Sequence, residues 1–190
     1  MREMKDSGIE WIGEIPENWV CCKQKYYIRL VNGRAYSDFE FETDGKYRVL
    51  RVGNLYTNPI WYTSSLELAP DKYCDNGDLL YSWSMSYGPI IWRGEKVIYH
   101  YHIWKAVLDN ALFKKFAFYY LSSLTSALMA EKHETTMSFI TMSVMNNSYL
   151  AICLLTRRKN SLRLLIPTRN PSFMSTSRGR RRSRCERNNL

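Results

Sequence analysis

The sequence predicts an α+β domain, rich in β-strands and with one main packed helix, that is followed by a disordered or out-of-frame basic tail. Three observations predict this organisation. Turn dipeptides such as Asn-Gly recur at short intervals between runs of β-branched and aromatic residues. Residues 111–132 contain no Gly or Pro and have apolar side chains at helical spacing. Residues 171–190 are rich in Ser and Arg, a composition typical of disorder.

The predicted strands follow from the turn signals. Residues 1–20 are expected to form turns and short pieces that pack on the body, because Gly13 and Pro16 interrupt any longer helix. Beyond them, strands are predicted at residues 25–31, 47–52, 78–84, 90–92 and 97–107. Asn32-Gly33 ends the first of these strands, and Gly88-Pro89 breaks the chain before the fourth.

The helix is predicted to begin after Asp109 or Asn110, since either side chain can cap it. Its apolar stripe consists of Leu112, Phe113, Phe116, Tyr119, Tyr120, Leu124, Ala127 and Leu128. Packing of this stripe against the strands gives the α+β class, and we interpret the stripe as core.

Charge divides the chain. We predict an N-terminal segment (1–20), a folded domain (21–147) and a basic tail (148–190) that is not a folded domain. The net charge is +9, but residues 151–190 carry eleven Lys and Arg against one acidic residue, or +10. The first 150 residues carry sixteen basic and seventeen acidic residues, or −1. The affinity for nucleic acid that a basic protein suggests therefore applies to the tail.

The apolar runs and the cysteines indicate in which cellular compartment the protein is expected. No run of about 18 apolar residues is present, so we expect no membrane span. The N-terminus is charged and has no apolar signal region, which indicates a cytoplasmic location. The five cysteines form no C-x-x-C pair, and we expect them to be reduced thiols.

Signatures of catalysis are scarce. The sequence contains no P-loop and no G-x-G-x-x-G turn, so it gives no support for nucleotide hydrolysis or for a dinucleotide cofactor. His100 and His102 lie two apart and could start a metal site with His133, although hydrogen-bonded surface or interface histidines are the favoured alternative. The tetrapeptide at 58–61, Asn-Pro-Ile-Trp, partly matches the Asn-Pro-Pro-aromatic element of adenine-N6 methyltransferases. Its second proline is missing, so a loop turn is favoured and direct catalysis is not expected.

Several blocks together resemble a known family. They are residues 5–19 (KDSGIEWIGEIPENW), 30–36 (LVNGRAY), 50–55 (LRVGNL), the aromatic-rich segment 77–105 and 133–141 (HETTMSFIT). These blocks resemble the N-terminal target recognition domain of the specificity (S) subunits of type I restriction–modification systems, over about residues 5–147. Glu134 stands where the family pattern has a glycine.

The resemblance implies a function. Such a subunit has two recognition domains, each reading one half of a split sequence in double-stranded DNA, and spacer helices that dock methyltransferase (M) subunits. The M subunits use S-adenosylmethionine, and a restriction/translocase (R) subunit uses ATP and Mg²⁺. The specificity subunit is non-catalytic, and we expect no cofactor on this chain.

This chain departs from the family pattern after the recognition domain. It has one such domain, and residues 154–159 (LLTRRK) stand where a proline-rich junction and spacer helix are usual. Our hypothesis is that residues from about Ala151 are read out of frame, which would make the chain a truncated or frameshifted copy. The alternative function is a remnant of an adenine-N6 methyltransferase.

Candidate DNA-contacting residues are polar or planar side chains next to predicted turns. They are Arg34, Tyr36, Asn54, Ser84, Ser86, Tyr87, His100 and His102. An arginine can take the acceptors of guanine, an asparagine can pair with adenine, and a histidine can donate to phosphate or base. The alternative for each of these residues is that its side chain only forms a turn or faces solvent. Trp83, Trp92 and Trp104 are predicted to be core or partner-facing.

Overall fold

The computed structural model describes residues 2–130 and 140–153. The predicted basic tail from residue 154, His133 and most of the segment 133–141 lie outside the described residues. The chain divides into two compact units. One contains residues up to Lys23 together with those from Tyr149, and the other is Gln24–Ser148.

The described residues form short strands, two α-helices and four short 3-10 helices. In chain order the strands are β1 (Met4–Asp6), β2 (Glu14–Pro16), β3 (Trp19–Lys23), β4 (Ile28–Asn32), β5 (Tyr47–Leu50), β6 (Tyr62–Ser64), β7 (Tyr73–Cys74), β8 (Leu79–Ser84), β9 (Ser86–Ile91), β10 (Val97–Tyr99), β11 (Ile103–Leu108) and β12 (Tyr149–Cys153). The α-helices are α1 (Lys114–Ala130) and α2 (Met142–Asn147). The β-rich α+β class predicted from the sequence is confirmed.

The smaller unit consists of two antiparallel strand pairs. Strand β1 pairs with β2, and the turn between them includes Gly13, whose φ of 70° glycine adopts without strain. Strand β3 pairs with β12 over five residues, from Trp19 opposite Cys153 to Lys23 opposite Tyr149. Strand β12 thus extends regular structure into the segment that the sequence analysis assigned to the basic tail.

The larger unit is built from two four-stranded sheets. Their strand orders are β6-β5-β10-β7 and β4-β11-β8-β9, and the pairing is antiparallel except between β5 and β10. A cluster of buried side chains, most of them from the two sheets, forms a central part of the core: Leu50, Val52, Cys74, Leu80, Val97, Tyr99 and Ile103. Burial of this apolar surface is the main force that holds the sheets together.

Helix α1 packs against β9. Its buried positions are Ala117, Tyr120, Leu121, Leu124 and Thr125. The Thr125 hydroxyl lies 2.8 Å from the buried hydroxyl of Tyr81. The predicted stripe was therefore partly wrong, because Phe113 and Tyr119 are exposed and a face that includes Ala117 and Leu121 is buried instead. Small Ala117 is buried because it faces the sheet, which apolar periodicity alone does not reveal.

Two strand predictions were wrong in an informative way. Gly88-Pro89 does not break the chain but lies inside β9, an edge strand, where a proline costs no ladder hydrogen bond. The predicted strand 97–107 is two strands, because the chain turns at residues 100–102 as it passes from one sheet to the other. Among the described residues, no helix is both long and apolar enough to cross a membrane.

Candidate nucleic-acid interface

One end of the β4-β11-β8-β9 sheet collects the loops that carry most of the predicted site residues. Strand β4 ends there at Asn32, β8 ends there at Ser84, and β11 begins there at Ile103. The antiparallel register fixes this convergence, because Asn32 pairs with Trp104 and Ser82 pairs with Ile103. We call this region the loop end and define it by residues 33–36, 51, 83–87 and 100–102.

The second sheet feeds into the same region. Strands β5 and β10 are parallel and finish side by side at Leu50 and Tyr99, so Arg51 and His100 are the next residues on each. The His100 N–H donates to the Leu50 carbonyl at 2.9 Å. Arg34 joins them, since its N–H donates to the Tyr99 carbonyl at 3.0 Å. Three segments that are distant in sequence therefore meet at the loop end.

Gly33 makes this meeting possible. A Cβ at this position would lie 2.3 Å from the Tyr99 carbonyl oxygen and 2.4 Å from that of His100. Both separations are far below van der Waals contact, and both neighbours are backbone. Gly33 is therefore required by space and not by a left-handed backbone, which it does not adopt.

Aromatic and imidazole rings pack on one another across the turn at 100–102. The ring centroids of His100 and His102 are 4.8 Å apart, and the Tyr101 ring lies 4.0 Å from that of His102. Trp83 joins from β8, with its ring 5.1 Å from His102 and its Nε1 donating to the Tyr101 carbonyl at 2.8 Å. The two imidazoles thus lie together as predicted, although they occupy a turn and not a strand.

Both imidazoles are held in the neutral form. Burial, the neighbouring His102 and the positive charge of Arg51 lower the pKa of His100 to about 4. Burial and Arg51 also lower the pKa of His102. At neutral pH each ring therefore offers one N–H donor and one nitrogen acceptor. A neutral ring of this kind is suited to a base edge, which presents donors and acceptors, more than to a phosphate, which attracts cations.

Arg34 is oriented by an acidic partner. Its Nη2 donates to Glu40 Oε1 at 2.5 Å, and this hydrogen bond lowers the pKa of the Glu40 carboxyl. The guanidinium carbon lies 5.2 Å from the centre of the Tyr36 ring. Within the described residues, Arg34 Nη1 and the Tyr36 hydroxyl are covered but have no hydrogen-bond partner. A bound polar group would gain free energy by pairing with either atom.

Asn54 is occupied with organising its own loop. Its Oδ1 accepts from the Arg51 N–H at 3.1 Å, and its Nδ2 donates to the carbonyls of Asn58 and Ile60 at 3.1 and 2.7 Å. Asn58 Oδ1 accepts from the Ile60 N–H at 2.9 Å, which makes the Asn-Pro element a side-chain-capped turn. Asn54 is thus placed to fix Arg51 at the loop end.

Arg51 is the residue that the sequence analysis missed. It is exposed, and its guanidinium carbon lies 4.9 Å from the centre of the Tyr62 ring. Its charge reaches both histidines, since it contributes to the lowered pKa of each. The available signal was a basic residue directly after a strand and before the Gly53-Asn54 turn.

The hairpin of β8 and β9 presents the other predicted residues. Ser84 pairs with Ser86 at its tip, and Trp83 pairs with Tyr87 one step further from the tip. Met85 lies between the two serines and is 88% exposed. Trp83 stacks on the buried Trp104 with centroids 5.7 Å apart, which anchors the hairpin to the next strand.

The structure therefore gathers seven of the eight predicted residues at the loop end and places Asn54 in the neighbouring loop. Whether any of them contacts DNA stays a prediction. Within residues 2–130 and 140–153, no three His, Cys, Asp or Glu side chains form a group that could hold a metal ion. The third histidine of the considered metal site, His133, lies outside this part of the chain.

The loop end of this α+β domain displays polar, aromatic and guanidinium groups side by side, the kinds of group that recognition surfaces use. The sequence matches the family model of the type I restriction modification DNA specificity domain over residues 16–157. The chain is therefore a member of the type I restriction–modification DNA specificity domain family, whose domains are non-catalytic and confer DNA sequence specificity.

Solved structures share the fold. The HsdS subunit from Thermoanaerobacter tengcongensis matches with a TM-score of 0.56 at 17% identity, over 78% of this chain and 36% of that one. A chain from a study of complex assembly and conformational transition of the type I R-M system matches with a TM-score of 0.57 at 15% identity, over 73% of this chain and 35% of that one. This chain thus spans about a third of the length of those it resembles. No curated protein matched the sequence.

Proposed function

We propose that this chain reads one half-site of a split DNA sequence as part of a type I restriction–modification complex. The observation that supports this most is the convergence at the loop end of Arg34, Arg51, His100 and His102, which lie up to 68 positions apart. A shared position for donors, acceptors and guanidinium groups is what base readout in a major groove requires.

The roles of these groups divide by charge. Arg51 is exposed and can present its planar fork to guanine or to a phosphate. The neutral rings of His100 and His102 supply donors and acceptors for base edges. Arg34 is held in place by its ion pair with Glu40. This fixed orientation is better suited to a base edge than to a mobile phosphate.

Without partners, the folded part of the chain should have a low affinity for DNA. The first 150 residues have a net charge of −1, and nonspecific DNA affinity rises with the number of phosphates that basic residues neutralise. We therefore propose that M subunits supply most of the grip on the duplex. Residues 1–147 alone should bind weakly and with a strong dependence on salt.

The partners follow from the same proposal. M subunits would carry S-adenosylmethionine and methylate adenine, and an R subunit would use ATP and Mg²⁺ to translocate and cleave DNA. This chain would bind neither cofactor and would contribute recognition alone. Cytoplasmic location follows from such a complex acting on the chromosome.

A change of reading frame belongs to the proposal as well. Basic residues stand where a spacer helix is expected after the family match ends at residue 157. Pairing of β12 through Cys153 and the match to 157 favour a frame change nearer to residue 157 than to Ala151. Reading the gene tests this: a shifted frame that encodes no proline-rich junction and helix would contradict it.

The experiment for the main proposal is a domain exchange. Residues 24–148, the larger compact unit, replace the matching domain of an intact specificity subunit, and the methylated motif is determined by sequencing of modified adenines. We expect one half of the motif to change. Within the exchanged domain, Arg51→Ala should weaken or alter that half-site, whereas Arg48→Ala, an arginine paired with Glu95, should leave it unchanged. An unaltered motif after the exchange would contradict the proposal.

The methyltransferase-remnant alternative makes a different prediction. It requires the chain to bind a methyl donor, whereas the recognition proposal requires no such binding. Isothermal titration of the full chain with S-adenosylmethionine separates the two. The commitment of Asn58 to its own turn gives no support to the alternative.

A further inference from the structure

The tip of the β8–β9 hairpin has an unusual residue at its end. Met85 has a φ of 64°, in the left-handed region that favours glycine, and it is the only non-glycine residue with a positive φ among those described. Its side chain is 88% exposed. A glycine would relieve the backbone strain, and a polar residue would be better solvated. The methionine side chain is therefore unexplained by folding.

The residues around Met85 offer no cation to attract a phosphate. Residues 82–89 (SWSMSYGP) contain no charged side chain. Phosphate contacts draw on Lys and Arg, whereas base edges also offer apolar contact through the C5-methyl group of thymine. A two-stranded ribbon of this kind fits the width of the major groove, where that methyl group is displayed.

The hairpin is also held firmly at the loop end. Trp83 donates from Nε1 to the Tyr101 carbonyl at 2.8 Å, and its ring stacks on that of Trp104. The Trp83 N–H donates to the His102 carbonyl at 3.3 Å. The exposed tip is thus fixed relative to the imidazoles, which is the condition for a single side chain to discriminate between bases.

We propose that Met85 is a specificity-determining residue that reads a thymine by packing on its C5-methyl group in the major groove. This inference rests on the proposed function, because it requires that the loop end faces the bases. Ser84 and Ser86 flank the contact and can hydrogen-bond to the same or the adjacent base pair.

The test uses the full chain and two steps at low salt. Selection from a random duplex pool first defines the motif that the wild-type chain prefers. Each thymine of that motif is then replaced by uracil, which removes only the methyl group, and affinities are measured by fluorescence anisotropy. One replacement should weaken wild-type binding about fourfold, the effect of losing about one buried methyl group.

The protein variants identify the residue responsible. In Met85→Gly and Met85→Ala the same uracil replacement should have no effect, whereas Met85→Leu should keep part of the discrimination. Phe113→Ala is the control, because Phe113 is an exposed apolar residue outside the hairpin, directly before Lys114, which donates to the Gly77 carbonyl. It should behave as the wild type does.

The outcomes separate the inference from the proposed function. A wild-type motif in which no thymine-to-uracil change matters, or equal sensitivity in Met85→Gly, overturns the role of Met85 and leaves the proposed function standing. An unaltered methylated motif after the domain exchange overturns both.

Discussion

Acid should destabilise this protein through His100, and the size of the effect can be worked out. The pKa of His100 is lowered from 6.5 to about 4, chiefly by burial. Between these values the unfolded chain binds a proton that the folded protein does not. Stability is therefore greatest above pH 6.5, falls as the pH is lowered through this window, and stops falling on this account below about 4.

The magnitude follows from the linkage relation. Lowering the pH from about 7 to about 5 would cost about 2 kcal/mol for the full shift, and about 1 kcal/mol once solvent screening of a partly exposed ring is allowed for. The variant His100→Gln keeps a polar side chain but does not titrate. It should lose about 1 kcal/mol less stability than the wild type over the same change of pH.

Urea unfolding of both chains at pH 7 and pH 5 measures this difference. Carboxylates that titrate in both proteins contribute equally and cancel in the comparison. NMR titration of the imidazole resonances of the wild type gives the pKa directly. An equal loss of stability in His100→Gln, with an ordinary histidine pKa in the spectra, would refute the argument that the loop end shields this ring.

Three further predictions concern the residues that shape the loop end. Gly33→Ala forces Cβ against the Tyr99 and His100 carbonyls and should cost about 2–4 kcal/mol in urea unfolding, whereas Gly53→Ala, which meets a side chain at 3.1 Å, should cost less. Tyr99→Phe removes a buried hydroxyl that donates to the Asp71 carbonyl at 2.8 Å, and should cost about 1–2 kcal/mol in the same assay. Arg51→Ala removes a positive charge beside the imidazoles, so the pKa values of His100 and His102 should rise in NMR titrations. Unchanged histidine pKa values would show that Arg51 does not act on them.

Local signals in the sequence were sufficient to predict the class of fold. Turn dipeptides separated most of the strands, and an uninterrupted apolar period predicted α1. The errors arose where tertiary position overrides local preference. Pro89 is tolerated because β9 is an edge strand, and edge position depends on the whole sheet order. The face of α1 that is buried depends on what it packs against, so Ala117 could not be distinguished from a surface alanine.

The candidate site was predictable in its residues but not in its organisation. Seven of the eight candidate residues beside turns lie at the loop end, because the loops of both sheets emerge there, and their contact with DNA stays a prediction. Arg51 was missed because its position depends on the parallel pairing of β5 with β10, which joins segments about fifty residues apart. The sequence also did not reveal that the Asn54 amide both accepts and donates hydrogen bonds within its own loop. Its three partners become neighbours only when residues 51–60 fold back on themselves.

The charge distribution bears on the role of the uncharged side chains at the loop end. A recognition domain with many exposed cations would bind any duplex tightly and would gain little from reading the sequence. Here the folded part is close to neutral, Arg34 is paired with Glu40, and burial keeps both imidazoles neutral. Apart from Arg51, the loop end would therefore interact with DNA through hydrogen-bond direction and apolar contact, which differ between base pairs, more than through charge, which does not. By this reasoning a domain of this design would discriminate well and grip weakly, which is why the function proposed above includes partners that hold the DNA.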